Sequence, residues 1–509
     1  MNFPYLTVIL SLPAIALLCV LLTPKEKENQ VRGIAAFFTF LTMVLSIHVY
    51  RMFLALPAAD KATWQLVERH PWFKDLGIAY IVGIDGLNAP MLLLAGILAF
   101  TATLVSFNIK TRVKEYFCLA LASMTGVFGI FVSLDLFFFI LFYEMASVPM
   151  YFLVGMWGTV PKTGARMSLD AAATKLMIYL QMAGGIALVG ILGLYFNVEP
   201  HTFDLTQIMA SIGQNPLPET VTRWLFPVIF LAFAVEAGFF PFHTWLPDGH
   251  SSAPTALSML LAGVLLKMGG YGCLRLGIAT MPEAAAKYMP FFMALAVVNV
   301  LYGALCALKQ VDIKYFIAYS SVSHMGIVIL GLGTFNVMGL QGAVYQMFSH
   351  GIITALLFAM AGYIYEKTHT RNLDEMGGLA IRMPYLAAIF AMGGLASLGL
   401  PGMSGFVAEL MVFFGLFAKA STHTLGILSI LGLVITATYI LRAVQKIFFG
   451  PLNEHYAQLP DAVGVEHYPL AILAATMVLF GCWPALLIDA MAPSVASIVQ
   501  VFAPIVGGQ

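Results

Sequence analysis

The sequence predicts an all-α polytopic membrane protein of about fourteen transmembrane helices. Three observations carry that prediction. Of the 509 residues, 60% are hydrophobic and only 10% are charged, whereas a soluble domain wets its surface with about 25% charged residues. Apolar runs of roughly 20 residues, each long enough to cross ~30 Å of hydrocarbon, recur from end to end. No segment between them is long enough to fold as a soluble domain, so residues 1–509 read as one membrane domain.

In order, the spans fall at about 4–23, 33–55, 87–109, 115–134, 136–157, 171–195, 224–246, 253–276, 289–308, 313–334, 339–365, 384–418, 424–447 and 468–490. The first has no basic segment before it and no small-residue cleavage site, and Lys25 and Lys27 follow it. It therefore reads as a span and not as a signal peptide. The segments 57–86 and 196–222 read as short caps, each with a hairpin or an amphipathic element. Span 12 is too long for one pass, and LGLPGMSGF (398–406) inside it predicts two half-helices or a strong tilt. Span 7 breaks at FFPFHTWLP, five spans earlier. Paired breaks point to two inverted five-helix repeats. These are helices 4–8 (115–276) and 9–13 (288–447), with helices 1–3 (1–110) and helix 14 with its tail (468–509) as additions.

Charge sets the expected orientation. With the N-terminus outside, fifteen Lys and Arg, among them Lys162, Arg166 and Lys314, fall on the inner loops and flanks, and eight fall outside. Positive charge collects on the cytoplasmic side, so both termini are expected on the non-cytoplasmic side of a bacterial inner membrane. The net charge of zero offers no footprint for nucleic acid. The five cysteines lie in apolar runs without metal spacing and read as inert thiols. There is no GxxxxGK[ST], no HExxH and no cysteine set for an iron–sulfur cluster, and Gly331 and Gly333 lack the third glycine and the strand of a dinucleotide site. The chain is expected to bind no cofactor, so its drive must come from a partner or an ion gradient.

The chemistry lies in ionisable residues at membrane depth, where a charge costs at least ~2.5 kcal/mol on insertion scales. Glu144 lies nine residues past Asp135, roughly 14 Å into the membrane at 1.5 Å per residue. Glu236, Lys267 and Glu409 sit at comparable depth, His324 and His350 fall in spans 10 and 11, and Lys175 is near the start of span 6. Proton relays need groups that change protonation in place, and burial disfavours the charged form of each. Every one of them also has a plainer reading. A buried carboxylate can be a structural hydrogen-bond partner, His324 and His350 can satisfy carbonyls at helix breaks, and Lys175 can snorkel to the surface. His243 and His250 border the span 7 break, where freed backbone groups also need partners. Several titratable groups on consecutive spans favour an ion path over separate structural accidents.

The motifs around these residues resemble a known family. WLPDGHSSAPTALSMLLAGVLLKMGGYGCLR (245–275) is similar to the signature of antiporter-like subunits of proton-pumping NADH:quinone oxidoreductase, respiratory complex I. GIDGLN (83–88), LFYEMASVPMYFLVG (141–155), YSSVSHMG (319–326), FSHGIITALLF (348–358) and GLPGMSGFVAEL (399–410) fall in the family's order. The length, the span count and TFDLTQIM (202–209) favour its chain M branch. The resemblance implies that Glu144 loads a proton, Lys267 is the central relay, His324 and His350 carry the proton on, and Glu409 ends the path. It also implies that FMN, iron–sulfur clusters and quinone belong to partner subunits. The implied partners are the other membrane and peripheral subunits of complex I, including neighbouring antiporter-like subunits, within the lipid bilayer.

One position departs from the family. Span 7 ordinarily carries a lysine where this chain has Glu236, in VEAGFFP, so the family's lysine–glutamate gate is in question. Glu144 and Glu236 are then expected to approach each other and share a proton, since two carboxylates close together cannot both ionise cheaply. The alternative is that Lys175 reaches toward them and supplies the missing charge. Two rival readings of the whole chain stand beside the main one. The first is a homologous subunit of a membrane-bound hydrogenase, formate hydrogenlyase or cation/proton antiporter, and the second is a spacer that has lost pumping.

Overall fold

A computed structural model describes residues 3–160 and 167–506, so Lys162 and Arg166 of the expected inner loop lie outside the described residues. The bundle helices are α1 (Tyr5–Leu22), α2 (Glu28–Leu54), α3 (Ala89–Val105), α4 (Val113–Val132), α5 (Leu136–Trp157), α6 (Leu169–Phe196), α7a (Glu219–Glu236) and α7b (Trp245–Ser252), with a short helix over Leu205–Gln214 in the second cap segment. There follow α8 (Thr255–Ile278), α9 (Pro282–Lys309), α10 (Ile313–Leu332), α11 (Val337–Thr368), α12a (Pro384–Ser397), α12b (Ser404–Phe417), α13 (His423–Phe448), α14 (His467–Cys482) and α15 (Ala485–Val506). Among the described residues, thirteen helices are long and apolar enough to cross a membrane.

Burial sorts them. The apolar stretches of α8 and α11 are buried throughout and that of α10 nearly so, while α1, α2, α6, α9, α13 and α14 each leave a flank exposed. A helix apolar on every face sits inside a bundle or in lipid. Here α8, α10 and α11 are covered by other helices, and they carry Lys267, His324 and His350.

Both breaks are real and alike. Helix α7a ends at Glu236, and Gly238 takes a left-handed conformation (φ 75°) two residues on. Asn299 on α9 satisfies the freed backbone. Its Oδ1 accepts from Phe240 N at 2.6 Å, and its Nδ2 donates to the carbonyls of Gly238 and Val322. Helix α12a ends at Ser397, and Gly399 is left-handed (φ 79°), again two residues on. Span 12 is therefore two half-helices. Span 7 is wider than its expected 224–246, because it begins at Glu219 and its second half runs to Ser252.

A hairpin of two antiparallel strands, β1 (Gln65–Phe73) and β2 (Ile78–Ile84), fills the segment expected to cap the bundle. It packs over the start of α5, where Asp135 accepts from Ala79 N at 2.9 Å and caps Phe137 N and Phe138 N. A short bridge joins Asp135 to Asp204. Asp312 repeats the device at the start of α10. It caps Lys314 N and Tyr315 N, is bridged to Asn372, and pairs with Arg371 at 3.0 Å. The connectivity puts Asp135 on the hairpin face and Asp312 on the opposite face.

The last span differs from expectation. The run expected at 468–490 stops at Cys482, and α15 is a separate 22-residue helix where a tail was expected. It lies across the hairpin face. Tyr50 at the end of α2 donates to Leu486 O at 2.6 Å, Gly86 N donates to Ser494 Oγ at 2.9 Å, and Ser494 Oγ donates to Lys61 O at 2.8 Å. The ring of Phe502 stacks on Phe335, between α10 and α11, at 4.2 Å. A helix that touches the ends of this many spans runs along the surface and does not cross with them.

Candidate functional site

The polar core begins where α8 departs from regular geometry. Leu261–Leu265 and Cys273–Ile278 are π-helical, one stretch on each side of Lys267. A π turn disturbs the regular ladder of backbone bonds and is often found at functional positions. Here the Ala262 carbonyl, five residues back, accepts from the Lys267 ammonium. Gly269 lets α8 close on α7a, since a Cβ there would stand 2.5 Å from Phe233 O and Ala237 N. That contact sets α8 against the end of α7a, one residue from Glu236.

From Lys267 a line of side chains crosses α11, α10 and α12b. Lys267 Nζ lies 2.7 Å from His350 Nδ1. The rings of His350 and His324 are 5.4 Å apart between centroids. His324 Nδ1 lies 3.3 Å from Glu409 Oε1, and its Nε2 lies 3.1 Å from Ser397 Oγ. All four residues of the line are at most 4% exposed. Gly399, in the α12 break, makes room for its end, because a Cβ there would stand 2.7 Å from Glu409 Oε2.

On the other side of Lys267 the arrangement differs from expectation. Glu236, fully buried, contacts the Tyr143 hydroxyl through Oε2, and its Oε1 has no hydrogen-bond partner. Glu144, the next residue after Tyr143, is only partly buried, and its Oε1 lies against Gly184 of α6. The two carboxylates thus meet different neighbours, Glu236 the Tyr143 hydroxyl and Glu144 the backbone of α6. The side chains of residues 143 and 144 leave α5 in different directions, and it is Tyr143 that faces α7a. Lys175 does not supply the missing charge either. Its ammonium pairs with Asp248 of α7b at 2.7 Å, and Asp248 also accepts from Tyr315 at 3.0 Å.

Between Lys175 and Lys267 lie two histidines whose ring nitrogens have no protein partner. His243 stacks against Phe240, and His250 stacks on Phe358 with ring centroids 5.1 Å apart. Lys314, expected at the surface, is 2% exposed and donates to Ala253 O at 2.7 Å.

The family model described as NADH:quinone oxidoreductase/Mrp antiporter, TM matches residues 133–436, which is more than half of the chain and takes in every residue of the line from Glu144 to Glu409. The chain belongs to this family. Its relatives include NAD(P)H-quinone oxidoreductase chain 4 3 of Trichormus variabilis, 36% identical over 100% of this chain and 94% of the relative. Chain 4 of Gloeobacter violaceus is 38% identical over 98% and 93%. A chain of respiratory complex I from Thermus thermophilus, solved with bound NADH, superposes with a TM-score of 0.85 at 27% identity, covering 97% of this chain and 99% of that one. A chain of the Mrp complex from Dietzia sp. DQ12-45-1b reaches 0.82 at 19% identity over 98% and 99%, a likeness of fold alone.

The residues not foreseen from the sequence are partners of the buried ionisable groups. Tyr143 sits inside the LFYEMASVPM motif without any mark of its own. Asp248 lies in LPDGH and was the available sign that Lys175 had a partner on α7b. The buried pair of Arg275 with Asp85 at 2.7 Å, with Trp64 against the guanidinium at 4.5 Å, was also unforeseen.

Proposed function

We propose that this chain is a proton-translocating membrane subunit of an NADH:quinone oxidoreductase. One observation carries the reading: Lys267, His350, His324 and Glu409 form a buried line of neighbouring side chains on four different helices. Each can take up and release a proton without leaving its place, which is what a relay requires. The ring nitrogens of His243 and His250, and Nε2 of His350, have no protein partner, so their hydrogen bonds fall to water, the natural carrier between fixed groups.

Quinone reduction takes place in partner subunits of the same complex, and FMN, iron–sulfur clusters and quinone belong there. This chain supplies the proton path and borders neighbouring antiporter-like subunits through its exposed apolar flanks. It sits in a bacterial inner membrane with the hairpin face and both termini outside. The matched capping of Asp135 and Asp312 at opposite faces, and the left-handed glycines after α7a and α12a, support two inverted repeats over 115–276 and 288–447. Full-length relatives named as quinone oxidoreductase chains favour this function over a hydrogenase or a cation antiporter. The intact relay disfavours a spacer.

The test is Lys267→Ala in the assembled complex, in sealed vesicles that report quinone-coupled acidification. Assembly with strongly reduced pumping is the expected result. Normal pumping would end the assignment.

A further inference from the structure

Glu236 has one hydrogen-bond partner, Tyr143, while Tyr143 has two. The second is the carbonyl oxygen of Leu180 on α6, 3.0 Å from the phenol oxygen. A phenol carries one proton, and a carbonyl carries none. Only one of the two contacts can use the Tyr143 proton, so both are hydrogen bonds at once only if the second proton comes from Glu236. Both bonds form together around a neutral carboxylic acid, and they cannot both form around a carboxylate.

The surroundings agree. Among the described residues no cation pairs with Glu236. Lys267 is turned to Ala262 and His350, and Lys175 is held by Asp248. The side chain is fully buried and Oε1 is unpartnered. A carboxylate in that setting is a buried charge without compensation. A neutral acid that donates its proton from Oε2 buries no charge and leaves only Oε1 unpaired.

We infer that Tyr143 is a positioning residue that holds Glu236 as a proton-loaded acid, and that this chain gates by emptying and refilling that acid in place of an ion pair. The step balances without electron transfer. The O–H bond of Glu236 breaks, and a water takes the proton and passes it to the next group of the line. Tyr143 then rotates its own O–H from Leu180 O onto the new carboxylate, which it stabilises as a donor. When a proton returns to Glu236, the Tyr143 hydroxyl swings back to Leu180. One hydroxyl thus serves both states, as acceptor for the acid and donor for the anion.

The inference rests on the proton-translocation reading, and the readouts separate the two. Infrared difference spectra of the assembled complex at neutral pH should contain a protonated-carboxyl C=O band that disappears in Glu236→Gln and persists, shifted, in Glu236→Asp. In Tyr143→Phe the band should move to higher frequency, because the acid loses its acceptor. Glu236→Gln should assemble and keep the Tyr143 contact through its amide, yet lose most of the pumping, since an amide cannot release the proton. If Glu236→Gln removes only carboxylate bands, or if Tyr143→Phe leaves the acid band in place, the inference is overturned. Loss of pumping in Lys267→Ala would still uphold the translocation reading. Normal pumping in Glu236→Gln would reduce Glu236 to a structural group and overturn the gate.

Discussion

The ammonium nitrogen of Lys267 stands 2.7 Å from Nδ1 of His350. Only one proton fits between two nitrogens at that distance. Either the ammonium donates to an unprotonated Nδ1, or an Nδ1–H donates to a neutral amine. Moving from one state to the other shifts a proton by less than an ångström and requires no rearrangement of α8 or α11. His350 can then release a proton from Nε2, which has no protein partner. The pair has the geometry that a proton transfer between the two residues needs.

Lys267→Arg tests that property without removing the charge. A guanidinium does not give up its proton in the working range, and its planar fork differs from a compact ammonium. The complex should assemble and still reduce quinone. Pumping should fall by about a hundredfold, the low end of what a positioned acid–base group contributes. Proton uptake per quinone reduced, measured in sealed vesicles, checks this.

At the other end of the line, Glu409 depends on Gly399. An added Cβ would stand 2.7 Å from Glu409 Oε2, and the backbone there has φ 79°. Gly399→Ala should therefore displace the carboxylate from His324 and destabilise the α12 break by roughly 1 kcal/mol or more. Glu409→Gln should impair pumping more than Glu409→Asp, because only the aspartate can still accept and release a proton. Equal pumping by wild type and Glu409→Gln would make Glu409 a structural partner of His324.

Much of this architecture was legible because its signals are local. An apolar run of about 20 residues announces a span by itself, and Pro and Gly inside LGLPGMSGF announce a break. Ionisable residues stand out against such a background, so Glu144, Glu236, Lys267, His324, His350 and Glu409 could be picked out one by one. What could not be read was which of them meet. Tyr143 is one of 20 tyrosines, and its choice of Glu236 follows from the rotation of α5 against α7a. The π turns beside Lys267 have no composition of their own. Helix α15 followed Cys482 so closely that it read as a tail. Its place is fixed by Tyr50, Lys61 and Gly86, more than 400 residues earlier in the chain.

Lys175 and Asp248 form a partly exposed pair on the side of the bundle opposite the hairpin, with side-chain exposures of 25% and 16%. If each acts only through the other, Lys175→Ala, Asp248→Asn and the double variant should have the same effect on pumping. A double-mutant cycle should then return a coupling as large as either single effect. Additive losses would instead show that the two residues act separately. Removing Asp248 alone also deprives Tyr315 of its acceptor at 3.0 Å, so Asp248→Asn, which retains an oxygen, is the cleaner variant.

Asp135 and Asp312 cap the starts of α5 and α10 in the same way, but their surroundings differ, and that difference can be measured. Replacing a capping aspartate by alanine costs about 1 kcal/mol, whereas asparagine caps nearly as well. Asp135→Asn keeps the cap through Oδ1 but gives up the acceptor of Ala79 N, a cost of about 1 kcal/mol, and it breaks no ion pair, since the nearby Arg69 is paired with Asp204. Asp312 also faces Arg371, which is 3% exposed and donates to Ser251 O at 2.6 Å. Asp312→Asn keeps the cap but leaves a buried guanidinium without its carboxylate, whose side chain is itself 16% exposed, a loss of about 1–3 kcal/mol. Thermal stability of the complex in detergent should thus fall more for Asp312→Asn than for Asp135→Asn, with both alanine variants below their asparagine counterparts. Equal behaviour of the two asparagine variants would show that Arg371 finds its compensation elsewhere and that Asp312 serves only as a cap.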